Sequence, residues 1–190
     1  MIKDLVRKNR TCRRFYEDFK IEGNTLEELV DLARLSASAG NLQPLKYILS
    51  CEKEKNSLIF PTLAWASYFK DWWPGPGEGE RPSAYIIMLA DTEINKNYWC
   101  DPGIAAQSIL LGATEKGLRG CIFASVKRNE LRSILKIDER YEILYVLAIG
   151  KPKEKVLLET VGPDGNIKYW RDSQGVHHVP KRILKEIIID

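Results

Sequence analysis

Apolar residues fall along this chain in two rhythms, one at helical spacing and one in short unbroken runs. Ile2, Leu5 and Val6 predict a first helix over residues 2–8 with one apolar face. Leu26, Leu29, Val30 and Ala33 recur at helical spacing behind the capping pair Asn24 and Glu27, so a second helix is expected to reach residue 36. Residues 45–51 read as a buried strand, and residues 52–73 as helix in pieces broken at Pro61. PGPGEGERP, residues 74–82, is neither helix nor central strand and predicts a surface loop. YIIMLA, residues 85–90, predicts a central strand. Asp101 then offers an N-cap and Pro102 a first helical position, and residues 103–116 are apolar on nearly every face. That helix is expected to be deeply buried, with Gly117 ending it.

Strands are expected over residues 120–126 and 143–149, separated by a short helix at 130–135. Beyond Gly150 the pattern changes. Residues 155–161, a turn at 162–165 and residues 167–170 read as an excursion or hairpin, and the last stretch, VPKRILKEIIID, mixes cations with an apolar terminus. Helix and strand alternate, which predicts one layered α+β or α/β domain over residues 1–190, with 151–190 as an extended C-terminal arm.

Composition narrows the class. Hydrophobic residues make up 44% and charged residues 29% of 190, which is a soluble globular chain able to bury a core. A net charge of +3 gives no reason to expect nucleic acid, and apolar runs such as residues 84–90 are too short to cross a membrane. The N-terminus lacks the continuous apolar segment of a secretory signal. Cys12, Cys51, Cys100 and Cys121 show no paired spacing, so neither a disulfide framework nor a zinc site is expected, and the thiols fit a cytoplasmic protein.

Candidate chemistry concentrates in a few loops. SASAGNLQP, residues 36–44, crowds small residues, a glycine, two carboxamides and a proline between a helix and a strand. Small residues let backbone approach a ligand, and Asn and Gln offer a donor and an acceptor to a flat heterocycle, though the same composition suits an ordinary turn. Arg10, Thr11, Arg13 and Arg14 suit a phosphate or a polyhydroxylated chain, or form a solvated basic face. Lys181 and Arg182 form a second cationic pair with the same two readings. GxSxG, HExxH and the Walker phosphate loop are absent from the sequence. GPGEG at residues 75–79 precedes no helix and is rejected as a dinucleotide fingerprint. His177 and His178 have no carboxylate or thiol at ligand spacing and read as an exposed or packing pair, so no metal is expected. With so little proton-transfer equipment, an enzyme built on this chain would borrow its chemistry from a cofactor.

Four segments, in order, resemble the FMN-dependent nitroreductase family. Residues 9–15, NRTCRRF, are similar to its basic RRSxRxF loop, and residues 37–44 to its PSxxNxQPW loop. Residues 101–118 resemble its DxGxAxQNLxLxAxxxGLG helix, and VLAIGKP its strand ending in IGYP. The resemblance implies an α+β fold with a central mixed, mainly antiparallel sheet flanked by helices, assembled as an intertwined homodimer. It implies tightly bound FMN, reduced by hydride from NAD(P)H at flavin N5 and reoxidised in ping-pong fashion by a small electron-poor acceptor, a nitroaromatic, quinone or related compound. No protein residue is then catalytic. Arg10, Thr11 and Arg13 would hold the phosphate and ribityl chain, joined by Lys181 and Arg182. Ala37, Ser38, Asn41 and Gln43, from the partner subunit, would line the isoalloxazine ring, and Gly117, Leu118 and Gly120 would shape the backbone beside it. A flavin-binding module that stores, senses or delivers FMN is the alternative.

The chain departs from the family pattern at Asn9, Ala37, Leu45, Ser108, Arg119 and Ile122. Trp65, Trp72 and Trp73, in an aromatic stretch that also holds Tyr68 and Phe69, either roof the flavin and select flat substrates or pack a dimer interface.

Overall fold

The unbroken apolar run at residues 85–90 is buried on both sides because two layers cover the sheet that contains it. The computed structural model describes residues 1–66, 68 and 73–189. In chain order the elements are α1 (Ile2–Lys8), β1 (Phe15–Tyr16), α2 (Gly23–Arg34), β2 (Leu45–Ser50), α3 (Lys53–Ile59), β3 (Ala84–Asp91), α4 (Asp101–Glu115), β4 (Arg119–Phe123), α5 (Arg128–Leu135), β5 (Tyr141–Pro152), β6 (Val156–Thr160), β7 (Trp170–Arg171) and β8 (His177–Lys181). In the central sheet β2 pairs with β3 and β3 with β5, which also carries β4 and β1, and every pairing is antiparallel. This is the expected α+β architecture.

Side chains alternate across a strand. Ile86, Met88 and Ala90 therefore face Leu26 and Leu29 of α2 and Ile109 and Ala113 of α4. Tyr85, Ile87 and Leu89 face the opposite layer, with Ile59, Trp65, Phe123 and Leu131. Burying a large side chain of this kind stabilises a fold by about 1.5–3 kcal/mol, so these two layers hold the sheet.

Helix N-caps differ from the sequence expectation in two places. α2 begins at Gly23 with Glu22 at its N-cap, and Asn24 lies inside the first turn. α4 begins at Asp101 itself, with Cys100 at the N-cap position; the Asp101 side chain does not cap the helix. Gly117 ends α4 as expected, at φ 72°, with Leu118 N–H donating to Ala113 O (2.8 Å) and Gly117 N–H to Thr114 O (3.1 Å). These are the two bonds of a glycine-terminated helix, and they turn the chain directly into β4.

After β5 the chain builds a second, three-stranded sheet. β8 is its middle strand, parallel to β6 and antiparallel to β7, so the turn at Gly162–Gly165 opens a crossover and not a β6–β7 hairpin. α1 packs on α4 without entering either core. It has no buried residue, and Ile2 and Val6 are exposed.

Candidate functional site

The basic loop lies against the corner where α4 turns into β4. Cys12 N–H donates to Gly120 O (3.0 Å), which sets residues 10–14 alongside Leu118 and Gly120. Gly120 has no room for a side chain: a Cβ there would stand 2.7 Å from the Ala148 carbonyl and 2.6 Å from Leu110 Cδ2. Lys151 reaches the same corner, its Nζ 3.6 Å from where a Cβ on Gly117 would lie.

The three arginines of the loop differ in their surroundings. Arg14 grips Glu80 with two bonds of 2.6 Å, and Lys153 adds a third contact at 3.1 Å, which pulls the Glu80 carboxyl down to about 2. Arg10 has no carboxylate partner among the described residues. It is half-buried, its Nη2 donates to Val6 O (2.9 Å), its Nε has no partner, and burial lowers its pKa. Arg119, one of the departures from the family pattern, is a second half-buried guanidinium whose pKa is lowered by burial; its Nη1 donates to Leu118 O (2.7 Å). Thr11 is exposed beside them.

Arg13 is buried, and the chain's own C-terminal sheet covers it. Its amide donates to Glu154 Oε1, and the other oxygen of that buried carboxylate accepts from Arg171 Nη2 (2.8 Å). The Arg13 guanidinium lies 4.8 Å over the Tyr169 ring, which stacks on His177 at 5.2 Å. Burial, with Arg13 and Arg171 beside it, drives the His177 imidazole down to about 4, so the ring is neutral at pH 7. Burial likewise pushes the Cys121 thiol up to about 11 and raises Cys12, so neither is a nucleophile at neutral pH. His178 bridges Glu159 and Asp172 and stacks on Trp170 at 4.0 Å; the two carboxylates raise its pKa. Among the described residues no group of His, Cys, Asp and Glu has the makings of a metal site. Lys181 and Arg182 are exposed, and Arg182 pairs with Glu186. Contact with the basic loop comes instead from Glu154 and Tyr169, which carry no motif in the sequence.

The carboxamide loop sits at the other end of α4. Asp101, 3% exposed, accepts from Ser38 Oγ (2.6 Å) and Ala39 N (2.9 Å), and Ser38 Oγ accepts from Gln43 N (2.9 Å). Asn41 N donates to Ser38 O and Leu42 N to Ala39 O, closing a tight turn at Ala39–Asn41. Gly40, Asn41 and Gln43 take φ of 57°, 55° and 52°, the left-handed region that only glycine enters freely. Ser36 Oγ lies 2.7 Å from Ser108 Oγ, which gives that family departure a local partner. Ala37, Asn41 and Gln43 are exposed. Behind the loop a cavity of about 300 Å³ is lined by Ala37, Ser38, Gln43, Tyr47, Asp101 and Ala105.

The aromatic stretch splits. Trp65 is 8% exposed and packs edge-on against Phe123 (4.6 Å) and Trp73 (6.3 Å) in the second core layer. Trp73 is half-exposed, with the Arg171 guanidinium 5.1 Å above its ring. Trp72 and Phe69 lie outside the described residues. A larger cleft, about 860 Å³, between residues 17–22, 51–57 and 78–85 is lined by none of the residues that the sequence offers for flavin or substrate.

Antiparallel sheet, buried α4 and the two loops at its ends are the frame of one family. The sequence model of the Nitroreductase family matches residues 6–151, and the chain belongs to that family. It is 29% identical over 154 residues to an Archaeoglobus fulgidus protein provisionally named NADH dehydrogenase/NAD(P)H nitroreductase, covering 77% of this chain and 83% of that one. Its fold is similar to that of an FMN-dependent nitroreductase from Clostridium difficile (TM-score 0.67, 24% identity, 82% of this chain and 89% of that one). A nitroreductase family protein from Streptococcus pneumoniae aligns with a TM-score of 0.67 at 17% identity, over 90% of this chain and 100% of that one.

Proposed function

We propose that this nitroreductase-family chain is an FMN-dependent oxidoreductase, taking reducing equivalents from NAD(P)H and passing them to a small electron-poor acceptor such as a nitroaromatic or quinone in ping-pong order. The observation that carries the reading is Arg10. A half-buried guanidinium with no carboxylate partner and an unpartnered Nε is unfavourable in a protein unless an anion completes it, and the adjoining loop offers a hydroxyl and further cations suited to a phosphate. Bound FMN would supply the hydride-transfer chemistry that the side chains of this protein lack. Arg10, Thr11 and Arg13 hold the phosphate and ribityl chain in this reading, with Lys181 and Arg182 as further candidates. Cations near the ring favour the anionic reduced form electrostatically, so the chain needs no nucleophile of its own.

The reading includes a homodimer in which Ala37, Ser38, Asn41 and Gln43 face the partner's flavin. Two observations support it. The carboxamide and basic loops lie at opposite ends of α4, which at 1.5 Å per residue is about 22 Å long. Apolar side chains also stand exposed around the first loop and α1: Ile2, Leu35, Leu42 and Trp99. A second copy burying that surface brings the loops of two chains together. Four free cysteines favour a cytoplasmic location, and among the described residues no helix is long and apolar enough to cross a membrane. The test is FMN uptake by the purified protein. Retention of yellow, quenched flavin through gel filtration is expected; protein that stays colourless after incubation with FMN contradicts the proposal.

A further inference from the structure

We infer that Asp101 is the positioning residue of the carboxamide loop: a buried carboxylate at the start of α4 that holds residues 38–43 in a left-handed turn and so leaves the Asn41 side chain as the contact offered to a flavin ring. The inference rests on the flavin reading above and assigns roles within that loop.

The geometry accounts for four of the loop's amides and for its one hydroxyl. Ser38 Oγ donates to one oxygen of Asp101 and accepts from Gln43 N, while Ala39 N donates to the other oxygen. The amides of Asn41 and Leu42 close back on Ser38 O and Ala39 O. Four amides and the Ser38 hydroxyl are therefore satisfied inside the chain, and none of them is available to a ligand without breaking an existing bond. Gln43 Nε2 turns back to Asn41 O at 3.3 Å, which makes it a brace within the loop. The Asn41 side chain is exposed and makes no hydrogen bond among the described residues, with both a donor and an acceptor to offer.

The clamp has something to hold. Non-glycine residues in the left-handed region cost of order 1 kcal/mol or more each, and the loop contains two, Asn41 and Gln43. Hydrogen bonds to a charged acceptor are the strong ones, and Asp101 receives two of them at 3% exposure. Its charge is felt nearby: burial first, and Asp101 second, push the Tyr47 phenol up to about 12. The second tie, Ser36 to Ser108, lies seven residues further along α4 and hence on the same helical face. At its far end the loop is pinned by Asp91 N donating to Pro44 O (2.8 Å), with the Asp91 carboxylate itself gripped by Arg140 through bonds of 2.8 and 2.7 Å. The loop is thus a rigid bracket projecting the Asn41 carboxamide from the first turn of α4.

The experiment compares Asp101→Ala, Ser38→Ala, Ser38→Thr and Asn41→Ala in the full-length protein, reading amide hydrogen exchange of residues 36–44 without FMN and the FMN dissociation constant by fluorescence titration. Asp101→Ala and Ser38→Ala are expected to speed exchange at Ala39 and Gln43 at least tenfold and to weaken FMN binding about tenfold. Ser38→Thr keeps the hydroxyl and is expected to restore both. Asn41→Ala is expected to weaken FMN binding to a similar extent with loop exchange unchanged. Unchanged loop exchange in Ser38→Ala, the variant least able to disturb the fold, overturns the clamp. Faster exchange with FMN affinity unchanged across the set overturns the positioning role, while an unmodified protein that takes up no FMN overturns the flavin reading and leaves the exchange result to decide the clamp alone.

Discussion

Replacing His177 with phenylalanine should flatten the pH dependence of stability between pH 7 and pH 4. His177 is 1% exposed, stacks on Tyr169, and has Arg13 and Arg171 as cationic neighbours, so its folded pKa falls to about 4 from an ordinary value near 6.5. Between those two values the unfolded chain binds a proton that the folded chain refuses. Stability from this group is therefore intact above about pH 6.5 and is lost as pH falls toward 4. The gap corresponds to about 2 kcal/mol of lost stability at pH 5 and about 3 kcal/mol at pH 4. Phenylalanine keeps a ring against Tyr169 and removes the titration. Urea unfolding at pH 7, 5 and 4 measures the difference: the unmodified protein should lose about 2 kcal/mol more than the variant between pH 7 and pH 5. Parallel pH profiles for the two proteins would contradict this, because they would mean that His177 is protonated without cost despite its burial beside Arg13 and Arg171. His178 acts in the opposite sense. Its raised pKa makes its bonds to Glu159 and Asp172 a contribution present below about pH 6.5 and lost as pH rises through the folded value, and the His177 comparison leaves it unchanged.

Gly120→Ala forces a Cβ against the Ala148 carbonyl and should destabilise the fold by about 1–3 kcal/mol, read as a fall in the thermal midpoint. An unchanged midpoint would mean that β4 has room which its packing denies. Arg10→Ala and Arg13→Ala should each weaken FMN binding about 10- to 100-fold, the range for a charge-assisted hydrogen bond. Unchanged affinity removes that residue from the site. Leu35→Glu with Trp99→Glu, at positions 66% and 80% exposed, should convert a dimer to monomer in sizing with light scattering. A compact folded monomer of the unmodified chain would contradict a site shared between subunits.

Local pattern carried the sheet and its helices. The apolar run in β3, the glycine that ends α4 and the periodic face of α2 all describe burial within a few residues, which alternation and helical spacing report directly. Roles that depend on distant partners were not legible. Asp101 followed by proline has the signature of a helix cap, yet its carboxylate turns to Ser38 and Ala39, 63 and 62 residues earlier in the chain. Glu154 looks like one more charge in a basic stretch, and only folding brings it 141 residues back to the Arg13 amide. The parallel pairing of β6 with β8 is equally hidden, because a turn sequence reports where the chain bends and not which strand it will meet. Among the arginines of the basic loop, sequence gave equal charge to all; the structure separates Arg14, neutralised by Glu80, from Arg10, which has no carboxylate partner among the described residues.

Turnover of reducing equivalents on flavin bound to this chain can be read in one anaerobic reductive titration. FMN-loaded protein is mixed with NADH or NADPH while the flavin absorbance near 450 nm, a general property of oxidised flavins, is followed; a nitroaromatic or quinone is then added. Bleaching by at least one nicotinamide and return of the colour on adding the acceptor are expected. Yellow protein that neither nicotinamide bleaches would contradict reductase function and leave a chain that binds FMN without using it.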